Sequence, residues 1–347
     1  MIMKKKIAFI AGLLSCSLVF SQDIHFSMFN YSPLTLNPAN AGADDEIRLN
    51  LNYRNQWKSV TTQFKTMAGS YDMRISKVGN GYLAGGLNFF NDKAGDSQMG
   101  ITQANLSLAY HLKLADEHTI GLGLMGGYAQ RSMTSSALTW GNQYDGMSYN
   151  STLLTGEASV GDFAKSFFDL GTGVVYTFQK GEKYSSGNDH MAANVGFSVM
   201  HVHSPDMSFY GSTPDLLYRK YLFHANGLLG IPNSRISFAP GLMFAKQGSA
   251  QELMIGTNIR YRLIEDSRYT GIIKGASLSL GTWFRTGDAM VFTSLLQMAG
   301  YSIGFAYDYN ISPLREASNG KGGIEMCFKF GYPNSSSYGK KSSTRFL

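Results

Sequence analysis

Charge is scarce in this chain. Lysine, arginine, aspartate and glutamate make up 16% of its 347 residues, against about 25% in an average soluble domain. Cysteine is scarcer still. The only two, Cys16 and Cys327, are too few for a disulfide framework. There are 8 prolines and no glycine at every third position, which excludes collagen. Beyond the N-terminus no run of about 18 apolar residues occurs, so a helical membrane protein is excluded. What is abundant is glycine, at 39 residues, and aromatics, at 13%. So many aromatics exclude a disordered chain. Two classes are left: a soluble all-β protein or an outer-membrane β-barrel.

The N-terminus sets the compartment. Lys4, Lys5 and Lys6 form a basic start, Ile7 to Phe20 is apolar, and Val19-Phe20-Ser21 precedes Gln22. This is the layout of a secretory signal, with cleavage expected between Ser21 and Gln22. Leu13-Leu14-Ser15-Cys16 offers a rival lipoprotein box that would leave Cys16 acylated. Against it, Ser17-Leu18-Val19-Phe20 stays apolar after the cysteine. Cleavage at Gln22 leaves Cys327 alone and allows no intrachain disulfide.

The rest of the chain alternates. Ala104, Leu106, Leu108, Tyr110, Leu112 and Leu114 interleave with Gln103, Asn105, Ser107, Ala109, His111 and Lys113. The same period of two runs through residues 253–263 and 301–310. In a soluble sandwich the outer face would be rich in Lys and Glu. Here the second face is Gly, Ser, Asn, Gln and an occasional Arg, which suits a barrel lumen. The apolar face carries Leu with Tyr and Phe at strand ends, which suits lipid and its aromatic girdles. Girdle candidates are Tyr53, Trp57, Phe89, Phe90, Tyr110, Tyr128, Tyr261, Phe284, Tyr309 and Tyr332. The expected fold is therefore all-β, a transmembrane antiparallel up-and-down barrel of about 14 strands, an even number as bacterial barrels require. The strands are expected near residues 46–57, 64–76, 81–91, 100–113, 118–131, 165–178, 191–202, 217–230, 235–246, 251–263, 273–285, 288–298, 300–310 and 322–332.

The organisation follows. Residues 1–21 are read as a signal peptide, 22–45 as an N-terminal periplasmic or plug segment, 46–332 as the barrel and 333–347 as a short tail. With the mature N-terminus in the periplasm, the short links at 77–80, 114–117 and 231–234 fall on the periplasmic side. The Ser-, Thr-, Gly- and Asn-rich link 132–164 and the link 203–216 fall outside. The link 179–190 is long for a periplasmic turn.

Motifs that resemble chemistry read better as barrel. Gly121-Leu-Gly123-Leu-Met-Gly126 matches a dinucleotide fingerprint, but it lies within an alternating strand with no helix pattern after it. Glycines that bend the barrel or pack its lumen explain it. His201 and His203 share a strand face but lack a third ligand at metal spacing beyond Asp206. Asp116-Glu117-His118 reads as a solvated turn. No catalytic residue, cofactor or metal is predicted. The +6 charge points to lumenal Arg and Lys or to anionic outer-membrane lipid, not to nucleic acid.

Two segments depart from generic barrel. Residues 22–42 are apolar without alternation and hold Pro33 and Pro38, which cannot sit in central strands. Asn37 before Pro38 is expected to be extended or in a turn. Such a segment should be buried, folding into the barrel mouth from the periplasmic side; the alternative is a loose tail. The second segment, Tyr307 to Glu325, joins the last two strands through Ser312-Pro313-Leu314-Arg315-Glu316 and Ser318-Asn319-Gly320.

These stretches carry a resemblance. They are Gln22-Asp23 with His25-Phe26-Ser27, Ser32-Pro33-Leu34 with Leu36-Asn37-Pro38-Ala39 and Ala41-Gly42, and Asn52-Tyr53-Arg54-Asn55-Gln56-Trp57. Ala68 with Ser70-Tyr71-Asp72 follows, then Tyr307-Asp308-Tyr309-Asn310-Ile311-Ser312, Ser318-Asn319-Gly320 and Gly323-Ile324-Glu325. Together they resemble the PorP/SprF family of type IX secretion system membrane proteins over nearly the whole mature chain. Met28-Phe29 stands where Gln-Tyr is expected, and Lys58 where Pro often follows the Trp. These departures leave the subfamily, and so the cognate partner, open. The resemblance implies an outer-membrane barrel that serves secretion or surface anchoring of an adhesin with a type B C-terminal domain. It also implies contact with other secretion or gliding motility components at the periplasmic face.

Three function classes follow: an adhesin-binding barrel, a porin or transporter for small solutes, and a lipid-directed enzyme for which no motif speaks. The candidate partner-binding residues are Tyr53, Arg54, Asn55, Gln56 and Trp57 at the end of the first strand, with Arg315, Glu316 and Asn319. Arg and Trp are favoured interface anchors. Equally, Trp57 reads as a girdle residue, Arg54 as a lumenal partner of Asp72, and Arg315 with Glu316 as a brace of their own loop.

Overall fold

The computed structural model describes residues 23–58, 62–134, 138–156, 161–181, 188–209, 214–264 and 275–332. The signal peptide with Cys16 and the tail 333–347 lie outside the described residues. Fourteen strands form one closed antiparallel barrel in which sequence neighbours pair and β1 closes against β14. The first seven are β1 Ile47–Gln56, β2 Phe64–Val78, β3 Gly81–Ala94, β4 Met99–Ala115, β5 His118–Thr134, β6 Asp162–Lys180 and β7 Met191–Met200. The rest are β8 Lys220–Gly230, β9 Ile236–Gln247, β10 Ala250–Ile264, β11 Ala276–Arg285, β12 Ala289–Met298, β13 Tyr301–Asn310 and β14 Lys321–Tyr332.

Alternation produces this architecture because successive side chains on a strand point to opposite faces. On β13, Tyr301, Ile303, Phe305 and Tyr307 face outward and exposed, while Ser302, Ala306 and Asp308 are buried inside. On β4, Leu106, Leu108, Leu112 and Leu114 face outward against buried Gln103, Asn105, Ser107 and His111. Phe89 takes its girdle position on the outside, but Phe90, one residue on, sits on the inward face of β3 with Asn88. Two consecutive strand residues cannot both face lipid.

The lower mouth is where β1 begins and β14 ends. The turns at residues 79–80 and 116–117 and the link 231–235 lie there. The upper mouth holds the described parts of the links after β5, β7 and β13, residues 138–156, 201–209, 214–219 and 311–320. Its rim is uneven. β5 and β6 stay paired up to Thr134 and Asp162, rising as a ribbon above β7. The link after β7 folds against the inner side of that ribbon, where Met207 and Leu217 pack on Ala129 and Phe167.

Residues 23–45 run inside the barrel, without strand pairing. They use three short turns, Phe29–Tyr31, Pro33–Leu36 and Pro38–Asn40. Asn37 between the last two is extended, as a residue before proline prefers (φ −160°, ψ 123°). Apolar packing fills the middle. Phe29 meets Trp283 edge-on with ring centroids 5.4 Å apart. It belongs to a cluster with Met28, Tyr31, Leu36, Leu222, Met243 and Val291. Leu34 and Ala41 pack on Tyr82, Ala84 and Ala109.

The direction of this segment corrects the sequence expectation. Its first described residue lies at the upper mouth, not at the mouth where β1 starts. Asp23 bonds Gln247 at the end of β9, and its carboxylate lies 2.6 Å from His201, just past β7. The chain then descends the full lumen to reach β1 at the lower mouth. The cause is long-range. The basic and amide partners of Asp23, and those of Ser27, all sit near the upper rim, where sequence periodicity gives no hint of them.

Candidate functional site

Four sets of polar contacts hold the segment, one at the lower end, one midway and two near the upper mouth. At the lower end Arg48 of β1 grips Asp72 of β2, with Nε to Oδ1 at 2.9 Å, and donates to Asp44 Oδ2 at 2.8 Å and to the Asn40 carbonyl at 2.7 Å. Asp72 in turn accepts from the Gly42 N–H at 2.8 Å. Arg74 caps the Gly42 carbonyl at 2.8 Å, and Lys329 reaches Asp45 at 3.1 Å.

Midway, Asn37 threads between β6 and β7. Its Nδ2 donates to the Val174 carbonyl at 2.9 Å and its Oδ1 accepts from the Ala39 N–H at 2.9 Å. His111 Nε2 lies 2.8 Å from the Ala41 carbonyl. The segment can approach this wall because Gly123 on β5 has no side chain: a Cβ there would fall on the Ala39 main chain. The glycines of the 121–126 motif therefore serve close packing. Gly126, by contrast, faces outward.

At the upper end a buried ion cluster closes around Ser27. Arg54 donates from Nη2 to Asp308 Oδ2 at 2.7 Å and from Nη1 to Glu325 Oε2 at 3.1 Å. Arg285 donates to the same Asp308 oxygen at 3.0 Å and to Asp288 at 3.0 Å, and its Nε lies 3.1 Å from Glu252. The Ser27 hydroxyl accepts from Arg54 and Arg285, each at 2.6 Å, and donates to Asp308 at 2.7 Å. That uses a hydroxyl's one donor and two acceptor positions. Glu325 accepts the Ser27 and Met28 N–H groups at 2.7 and 2.9 Å. His25 stands beside the cluster. Burial, then Arg54 and Arg285, hold its pKa well below the ordinary imidazole value.

A second fastening lies across the rim. His201 Nε2 meets Asp23 at 2.6 Å and His201 Nδ1 meets Asp169 at 2.9 Å, while Lys220 stands 3.7 Å from Asp23. Burial disfavours the imidazolium, but the two carboxylates outweigh it and push the pKa up to about 10. Burial also opposes the Asp23 charge, and His201 and Lys220 overcome it, holding the carboxyl below its usual range.

The candidate partner-binding residues do gather on one stretch of rim. β1 pairs with β14, and the Trp57 N–H donates to the Gly322 carbonyl at 2.9 Å. Residues 53–57 and the link 311–320 therefore stand side by side. Arg315, Glu316 and Asn319 are exposed there. Arg315 lies over the Tyr309 ring at 5.8 Å. Trp57 stacks edge-on against Phe64 at 4.9 Å, and Asn55 bonds Gln63 at 2.7 Å. Tyr53 faces outward, and Gln56 ends the β1 ladder opposite Phe64. Arg54 points the other way and is 1% exposed. It is a lumenal ion-pair residue, but its partners are Asp308 and Glu325, not Asp72. In the strand register Asp72 stands opposite Arg48.

Sequence reading missed Ser27, Glu252, Arg285, Asp308 and Glu325 as a cluster, and Asp23 with His201 and Asp169. The usable signal was charge on the lumenal face of alternating strands.

A concavity of about 730 Å³ runs along Ser70, Asn88, Asn105 and Asp169 with outward Leu87, Leu106 and Phe168, and a cavity of about 20 Å³ lies beside Phe26, Phe29 and Leu36. No group of His, Cys, Asp and Glu among the described residues forms a metal site.

Solved structures with likeness to this chain are other barrels at low identity. The monoaromatic hydrocarbon channel CymD is 9% identical, with TM-score 0.42, covering 88% of this chain and 93% of CymD. BamA from Haemophilus ducreyi lacking POTRA domains 1-3 is 10% identical, with TM-score 0.40, covering 83% of this chain and 70% of BamA. The ferric enterobactin receptor PfeA from Pseudomonas aeruginosa is 10% identical, with TM-score 0.32 over 78% of this chain. The chain spans 45% of that receptor's length. No curated protein matches the chain. The family described as type IX secretion system membrane protein PorP/SprF matches residues 18–330. With that match over a closed fourteen-strand barrel, the chain belongs to the PorP/SprF family of type IX secretion system membrane proteins.

Proposed function

We propose that this outer-membrane barrel is a non-enzymatic binding protein that supports secretion or surface anchoring of an adhesin with a type B C-terminal domain. Its upper mouth, with the longer links, faces the cell exterior, as in other bacterial barrels. Its lower mouth faces secretion or gliding motility components in the periplasm. The adhesin is held at the rim formed by Tyr53, Asn55, Gln56 and Trp57 with the exposed Arg315, Glu316 and Asn319, while Arg54 stays in the lumenal ion cluster.

The observation that carries this reading is the filled lumen. Residues 24–43 run through the barrel interior, most with buried side chains, and are tied to its wall at both ends. A porin needs water through its lumen, and this interior favours binding at a mouth over conduction through the wall.

Affinity purification from the native outer membrane in mild detergent, followed by mass spectrometry, tests the proposal. A stoichiometric surface protein with a C-terminal secretion domain is the expected result. A barrel recovered alone, together with ion current across a planar bilayer, would overturn it in favour of solute transport.

A further inference from the structure

The wall of the barrel has one step in its pairing. β6 pairs with β5 up to Asp162, but it pairs with β7 only from Thr172 to Lys180. One further bond, from the Val202 N–H to the Leu170 carbonyl at 3.0 Å, ends the contact on that side. The chain then turns inward through His201 and Ser204, both at positive φ, and packs behind the ribbon. Above Leu170 the β7 side of β6 has no backbone partner at Ala164, Ser166 or Phe168 among the described residues.

Strand geometry says which groups are open. Backbone bonds of a strand residue point to one side, and the next residue's to the other. Gln179 donates toward the β5 side and Leu170 accepts on the β7 side. Parity therefore aims the N–H and C=O groups of Ala164, Ser166 and Phe168 away from β5. All three residues are exposed, Phe168 at 72%. Phe168 stands against Tyr128 with ring centroids 5.7 Å apart, at the upper aromatic girdle. The outward residues above it, Ser166, Ala164 and Gln130, are polar or small, so the open edge stands in water. Unpaired backbone could not persist in lipid.

Native proteins guard such edges with lysine, proline or a covering loop. Here Asp162 at the ribbon's tip is exposed, while the charges further along the edge turn elsewhere. Lys165 lies 4.0 Å from Asp206, and Asp169 faces His201. No proline interrupts residues 162–170.

We infer that the open edge of β6 at Ala164, Ser166 and Phe168 takes up an extended strand of the secreted partner protein. The complement of donors and acceptors at two-residue spacing is another extended backbone, which is the basis of strand addition. Phe168 supplies the apolar neighbour for a residue of the incoming strand. The inference rests on the proposed function and adds a second contact for the partner, on β6 and apart from the rim of residues 53–57.

The test compares the wild type, Ser166→Pro and Ser166→Ala, each purified from native membranes in mild detergent. The Ser166 N–H points away from β5, so proline removes an edge donor and leaves the β5 ladder whole. The expected result is a fall of about two- to tenfold in recovered partner for Ser166→Pro, no change for Ser166→Ala, and an unchanged heat-induced gel shift for both barrels. In parallel, a benzophenone side chain at position 166 is photolysed in intact cells, and an adduct with the secreted protein is expected. Partner recovery at the wild-type level by Ser166→Pro overturns the inference, as does an adduct formed only with a second copy of this chain. If Ser166→Pro loses its heat shift, the adduct alone decides: present supports, absent overturns. A wild type recovered without any secreted protein overturns the proposed function itself, and this inference with it.

Discussion

Arg54 on β1 and Asp308 on β13 meet at 2.7 Å inside the lumen, with β14 between their strands. The pair therefore spans the seam where the first and last strands close the barrel. It also seats Ser27, so barrel closure and plug seating share one set of charges. Removing one partner of a buried pair typically costs about 3–5 kcal/mol, because the other charge is left without compensation. Asp308→Ala is expected to lower barrel stability by that amount in urea titration. A double-mutant cycle across Arg54 and Asp308 should show coupling, and one across Arg54 and Asp72 should show none. Coupling of Arg54 to Asp72 would contradict the register in which Asp72 stands opposite Arg48.

The glycines of the 121–126 motif separate two roles. Gly123 faces Ala39 of the lumenal segment, whereas a Cβ at Gly126 would meet nothing nearer than Leu170 at 4.0 Å. Gly123→Leu should push the segment off the wall, costing about 1–3 kcal/mol as overpacking does, and raise bilayer conductance. Gly126→Leu, on the lipid face, should do neither. Equal conductance in the two variants would mean that the segment does not seal the lumen.

The rim residues predict a different signature. Arg315, Glu316 and Asn319 are exposed, so replacing them should leave the barrel intact. Arg315→Ala and Asn319→Gly are expected to reduce adhesin recovery with no change in unfolding. Glycine suits position 319 because Asn319 sits in the left-handed region at φ 52°. Truncating a true interface anchor costs about 2 kcal/mol or more, a roughly 30-fold loss in affinity. Unchanged recovery in both variants would remove these residues from the partner site.

The strands were legible because period two is a local property. Residues 301–310 were read as one strand, and β13 runs from Tyr301 to Asn310. The burial of most of residues 26–42 was legible from apolar residues without alternation. Its direction was not, because direction depends on Asp23 finding His201, 178 residues away in sequence. The ion cluster failed for the same reason. Arg54 and Asp308 are 254 residues apart, and only the closure register brings them together. Arg54 was read correctly as a lumenal ion-pair alternative and wrongly in its partner, since Asp72 is the nearer acid in sequence but faces Arg48 in space.

The rim fastening of the segment carries a pH signature with a definite sign. The His201 imidazole is raised from its ordinary 6.5 to about 10 in the folded chain. A raised pKa means its stabilisation is full below about 6.5 and is lost as pH climbs toward 10. Asp23 is shifted the other way, below its ordinary 3.8. Its contribution is full above that value and is lost as pH falls beneath it. Both are complete only between about pH 4 and 6.5. The urea midpoint of the barrel should therefore decline from pH 6.5 to 10, and His201→Gln should abolish that decline. Titration of the His201 ring by NMR gives the direct measure, with a midpoint expected near 10. A midpoint near 6.5 would mean that Asp23 and Asp169 do not grip the ring in solution and that the upper end of the segment is loose.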